Sequence, residues 1–174
     1  MEQSNIINKQ TVEQAVEHLV HKVRSWTLNE LVNILKNPNT NKKNLIIALG
    51  PNAYILGKYS IKINHTHCLV LDRNSEKEYY FVNKVAAFAY AICNNFRRYE
   101  LAEELRNYDL LIDKHSIEVD RFKYRLVKAR KNKNSHAIDL YSSRLKEAET
   151  RLHVNKFLLE KTLISAKYLN FRNH

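Results

Sequence analysis

Glycine and proline are nearly missing from this chain: its 174 residues hold two of each, where average usage would supply roughly 20 of the two together. Turns with positive φ and loops that wrap phosphates both draw on glycine. A dinucleotide-binding α/β fold, a P-loop enzyme, a β-sandwich with many tight turns and a collagen-like chain therefore do not fit. Long apolar runs are missing too. No stretch reaches the about 18 apolar residues of a membrane span. The opening Met-Glu-Gln-Ser-Asn has neither the basic nor the apolar part of a secretory signal. Cysteine occurs only at Cys68 and Cys93, in segments that read as buried, which suits a reducing compartment and so the cytoplasm.

What the chain has in excess is positive charge. Lys+Arg at 29 against Asp+Glu at 18 gives a net +11 and a pI near 9.6. Charged residues at 27% and apolar residues at 44% lie in the globular range, so the chain can close a core without disulfides or metal. The 20 Asn and 18 Lys have A/T-rich codons, a bias that an A+T-rich genome, a viral one included, produces without any functional reason. For a viral chain the compartment would be the host cytoplasm.

Pattern divides the sequence into three zones. In residues 1–50, Thr11-Val-Glu-Gln14 and Thr27-Leu-Asn-Glu30 match the capping box, in which a Thr oxygen and a Glu or Gln side chain satisfy free N–H groups reciprocally. Helical spacing follows each box, and a third short helix is expected over Lys42–Leu49, stopped by Gly50-Pro51. Residues 53–82 change period to two: Tyr59, Ile61 and Ile63, then His67, Leu69 and Leu71, then Glu78–Val82 read as three antiparallel strands. From residue 83 onward there is no Gly and no Pro. Val85, Phe88, Ala89, Ile92 and Phe96 make one helical face for the sheet.

From Leu101 the apolar stripe becomes a heptad through Leu105, Tyr108, Ile112, His115, Val119, Phe122, Leu126 and Ala129. After the break Lys131–Asn134, with Ser135 as the expected cap, a second stripe runs Ile138, Tyr141, Leu145, Ala148, Leu152, Asn155, Leu159, Thr162, Ala166 and Leu169. Two such helices joined by a short polar link form an antiparallel hairpin. Folding the stripes about the link faces Ala129 with Ile138, Leu126 with Tyr141, Phe122 with Leu145 and Val119 with Ala148. The expected fold is thus α+β and predominantly helical. Residues 1–96 would be a compact domain of short helices and a three-stranded meander, and 97–174 a long coiled-coil-like arm with a basic tip.

That tip carries the functional expectation. Arg121, Lys123, Arg125, Lys128, Arg130, Lys131 and Lys133 supply seven positive charges with no acid between Asp120 and Asp139. Arg121, Arg125 and Lys128 share one face at i, i+4 and i+7, which can follow a phosphate backbone. Secondary candidates are Lys42, Lys43, Lys58 and Lys62, because the N-terminal zone resembles a winged helix-turn-helix module in element order alone. Off the seam, Leu110, Ile117 and Tyr124 on one helix and Phe157, Ile164 and Phe171 on the other repeat every seven residues and form candidate oligomer or partner contacts.

Chemistry-bearing sets are otherwise thin. His65-Thr-His67-Cys68 has no second pair at zinc spacing, and His18 and His21 give only an i, i+3 pair. Glu103, Glu104, Asp109, Asp113, Glu118 and Asp120 alternate with bases as surface ion pairs do. Tyr79, Tyr80 and Phe81 could offer a stacking ring, with at least one of them in the core. No catalytic set, metal site or cofactor motif is read. The expectation is a non-enzymatic accessory protein that binds DNA or RNA with weak sequence specificity. The competing one is an oligomeric assembly or adaptor protein whose arm docks on an acidic or other protein partner.

Overall fold

The structure is a computed structural model that describes residues 46–50 and 52–171, with the side chains of 49, 50 and 52–166. The two capping boxes, His18, His21, Lys42 and Lys43 lie outside the described residues. A five-stranded antiparallel sheet comes first, with strands in sequence order: β1 Ile46–Gly50, β2 Ala53–Leu56, β3 Tyr59–Ile63, β4 Cys68–Asp72 and β5 Lys77–Phe81. Three helices follow: α1 Lys84–Asn95, α2 Tyr99–Lys131 and α3 Ser135–Phe171.

The short helix expected over 42–49 is corrected here, since residues 46–50 pair as an edge strand with β2. The β-branched Ile46-Ile47 prefers extended backbone, and Gly50 opposes Ala53 across the chain reversal instead of stopping a helix. With strands at 46–50 and 53–56, the meander has five members and not three. The winged-helix order fails on the same ground, because its recognition helix would occupy a strand.

Alternation fixes which face of the sheet is inside. Tyr59, Ile61, Ile63, Cys68, Val70 and Phe81 are buried, while Lys62 and Tyr80 on the other face are exposed. The β2–β3 turn is Gly57-Lys58, and Gly57 sits at φ +59°. A Cβ there would fall on the Asn95 carboxamide, which donates to the carbonyls of Leu56 at 3.1 Å and Ala91 at 2.9 Å. Glycine is required for both conformation and room. Between β4 and β5, Asp72 accepts the Lys58 ammonium at 2.8 Å and the Asn74 N–H at 3.0 Å, tying the two turns together.

Helix α1 begins at Asn83, whose Oδ1 accepts the Ala86 N–H at 3.0 Å. Ala86 through Cys93 are all buried, so this helix has no solvent face over eight consecutive residues. The single sheet-facing stripe expected from the sequence is therefore too narrow. One side of α1 lies on the sheet, where Phe88 meets Tyr54 edge-on at 5.3 Å and Tyr90 meets Tyr59, Tyr79 and Phe81. The other side lies on the base of the helical hairpin, whose Ala102, Leu105 and Leu163 belong to the same core. One core runs from Ile61 and Val70 through Phe88 to Leu105, Ile112, Leu159 and Leu163.

The chain leaves α1 through Arg97 in the left-handed region (φ +60°), where the Arg98 N–H closes onto the Cys93 carbonyl at 2.7 Å. α2 and α3 then form the expected hairpin, each about 50 Å or more long at 1.5 Å per residue. Ile112, His115, Val119, Leu126, Ala129, Ala148, Leu159, Thr162 and Ala166 of the two stripes are buried. Arg125 lies over the Tyr141 ring and Thr162 donates to Glu104, two pairs that agree with the folded register at both ends of the arm. The link is Asn132–Asn134, and Asn134, not Ser135, caps α3 by accepting the Ala137 N–H at 3.0 Å. Outward of Ile112 the seam leaves the main core, so roughly 25 Å of two-helix arm projects beyond the base.

Candidate nucleic-acid interface

Seven basic side chains converge on the outer end of that arm. Arg121, Lys123, Arg125, Lys128, Arg130 and Lys131 come from the last turns of α2, and Lys133 from the link at φ +51°. All seven are exposed. The helix tolerates them because cations near its C-terminus meet the negative end of the macrodipole, and because Leu126 and Ala129 are buried against α3. Among the described residues only Lys123 has a carboxylate partner, Glu149 at 4.0 Å. The remaining six have no carboxylate partner among the described residues, and repulsion between neighbours is relieved when an anion sits among them.

The heptad phase places Arg121, Tyr124 and Lys128 on one outer face of α2, with Arg125 turned toward α3. Folding α3 back makes a shallow groove of about 500 Å³ beside this face. Its lining includes Tyr124, Arg125, Lys128, Asn132, Asn134 and Tyr141. The Arg125 guanidinium stands 5.8 Å from the centre of the Tyr141 ring. Tyr124, expected only as a partner contact, is 72% exposed within the basic surface. Comparison of the chain with known protein families, curated proteins and solved structures gives no match.

The other candidates are scattered. Lys58 is bound to Asp72 at 2.8 Å and lies 5.0 Å from the Tyr59 ring centre, and that carboxylate raises the pKa of its ammonium. Lys62 is exposed in the middle of β3, far along the chain from the tip. Leu110 and Ile117 are exposed on the outer stripe of α2, Phe157 is exposed on α3, and Ile164 packs against the core.

The thiol and histidine set does not come together. Cys68 points into the core, where burial pushes its thiol up to about 12. His67 stands on the other face, bonded to Asn64 at 2.9 Å and Thr66 at 3.1 Å, beside the Tyr80 ring. Among the described residues no three His, Cys, Asp or Glu side chains converge as a ligand set. No helix among them is long and apolar enough to cross a membrane. On β5, Phe81 is core and Tyr79 lies under Arg106 at 4.7 Å, which leaves Tyr80 as the exposed ring.

Besides Glu104, which accepts from Thr162, two more of the acids expected in surface ion pairs have structural partners. Asp109 is 2% exposed, and its two oxygens accept the N–H groups of Val82 at 2.8 Å and Asn83 at 2.9 Å. Burial pushes its pKa up to about 6 against the pull of those two donors. Glu118 bonds His115 Nδ1 at 2.8 Å beside the seam, and that bond holds its carboxyl below the usual range. Nothing in the spacing of Asp109 marked it as buried, because the backbone it accepts from, at Val82 and Asn83, lies 27 and 26 residues earlier in the chain. Tyr124, expected only as a partner contact, falls three residues after Arg121 and four before Lys128, a spacing that puts it in the basic face.

Proposed function

We propose that the protein is a non-enzymatic nucleic-acid-binding accessory protein that grips phosphates with the tip of its helical arm. The observation that carries this reading is six exposed cations without a carboxylate partner among the described residues, gathered at the end of a projecting element. A projecting, unopposed basic surface gains affinity by releasing counterions from a phosphate chain, and such contacts carry little sequence information. The buried thiols of Cys68 and Cys93 suit a reducing compartment such as the cytoplasm.

Lysine footprinting tests the location. Brief acetylation with and without an oligonucleotide should show Lys128, Lys131 and Lys133 protected on binding. Lys62, Lys77 and Lys84, exposed on the sheet side, should react equally in both samples. Protection confined to the sheet side would reject the arm tip as the interface.

A second reading rests on Leu110 and Ile117, exposed at seven-residue spacing on the face of α2 turned away from α3. A second copy or another helical protein could cover them, with the basic charge incidental. Sedimentation at rising concentration would show a mass above the monomer that Ile117→Asp abolishes.

A further inference from the structure

We propose that the groove at the arm tip selects single-stranded nucleic acid, with one base stacked on Tyr124 and flanking phosphates held by Arg121 and Lys128. This rests on the nucleic-acid reading above and adds the form of the strand and the residue that selects it. Tyr124 is the most exposed large apolar side chain among those described, and it stands inside a basic surface. An aromatic ring so placed keeps apolar surface in water while free, and a flat partner stacked on it removes that surface from water. Its sequence neighbours on the same face are Arg121 at i−3 and Lys128 at i+4, about 10 Å apart along the helix axis. A cation therefore lies on each side of the ring, as a strand running along α2 would require.

The rest of the groove fits the same occupant. Arg125 is held near the Tyr141 ring and presents a second planar, cationic surface beside the first. The Asn132 carboxamide makes no hydrogen bond among the described residues and lines the same groove, where it can meet a base edge. In a duplex the base faces are stacked on each other and closed to a side chain. A duplex could use the cations of this tip but not the ring. Single strands offer both phosphates and open faces, and base–aromatic stacking is tolerant of sequence.

The test is fluorescence anisotropy on the full chain with end-labelled single-stranded DNA, single-stranded RNA and the DNA duplex of the same sequence, at one salt concentration. The wild type should bind at least one single strand on the order of tenfold tighter than the duplex. Tyr124→Ala should lose about tenfold on that strand, with the salt slope and duplex binding unchanged, while Tyr124→Phe keeps wild-type affinity. The DNA and RNA arms show which sugar the groove accepts. Because Tyr124 is largely in solvent, neither variant threatens the fold, and far-UV circular dichroism checks that. Equal binding of strand and duplex, with Tyr124→Ala neutral and an Arg121→Gln, Arg125→Gln, Lys128→Gln variant weakened, would overturn the inference and leave the phosphate-gripping reading standing. No binding to any probe at low salt would remove both.

Discussion

Asp109 in α2 accepts the backbone N–H of Asn83, 26 residues earlier, at 2.9 Å. Its other oxygen takes the N–H of Val82, so one buried carboxylate fastens the β5–α1 junction to the arm. Asp109→Ala would leave both donors without their acceptor, at about 1–3 kcal/mol for each that stays buried. The expected loss is about 2–4 kcal/mol in a urea titration, with the m-value unchanged. A loss under about half a kcal/mol would mean that water replaces the carboxylate freely.

The same residue gives stability an unusual pH dependence. Its folded pKa near 6 lies above the unfolded value near 4, so between those values the folded state binds more protons. The contribution of Asp109 is therefore greatest below about pH 4 and declines as pH rises to about 6, by roughly 3 kcal/mol at most. Asp72 and Glu118 act oppositely: their folded pKa values are lowered, so their stabilisation is lost as pH falls below about 4. Thermal melts from pH 4 to pH 7 should show a downward trend in the wild type that Asp109→Ala flattens. Parallel curves would contradict the assignment.

Arg97 holds a left-handed conformation at φ +60° between α1 and α2, with its side chain exposed. A residue with a Cβ is strained there by about 1–2 kcal/mol, and glycine is not. After the added entropy of an unfolded glycine is subtracted, Arg97→Gly should stabilise the protein by about 0.5–1 kcal/mol. A lowered denaturant midpoint would show that the Arg97 side chain stabilises the fold by more than its backbone strain costs.

Leu126 is buried between the two helices beyond the main core. Leu126→Asp removes that burial and forces a charge toward α3, a loss of about 3 kcal/mol or more confined to the arm. Amides across residues 119–148 should exchange faster by hydrogen exchange, while those of β3 and β4 keep their protection. Equal acceleration everywhere would mean that the arm and the base unfold together.

The arm was legible because its signal is long and local: the stripe from Leu105 to Ala129 repeats within one element, and its partner stripe starts just past the polar link, at Ile138. The first two strands were not. Ala53–Leu56 has only four residues, and Ile46–Gly50 reads equally well as one helical turn until its hydrogen-bonding partner is known. The burial of α1 on all sides was hidden because its second cover, the hairpin base, comes later in the chain. At the tip the charge could be counted from the sequence, whereas the groove needed Tyr141 and Asn134 brought back beside Arg125.

The central claim, that the tip cations hold phosphates, is tested most directly by the salt dependence of binding. The logarithm of the association constant for one oligonucleotide should fall linearly with the logarithm of salt concentration in the wild type. Changing Arg121, Arg125 and Lys128 together to Gln should flatten that slope by about 2–3, at roughly 0.7–0.9 for each phosphate that is no longer neutralised. An unchanged slope in the triple variant would contradict the account.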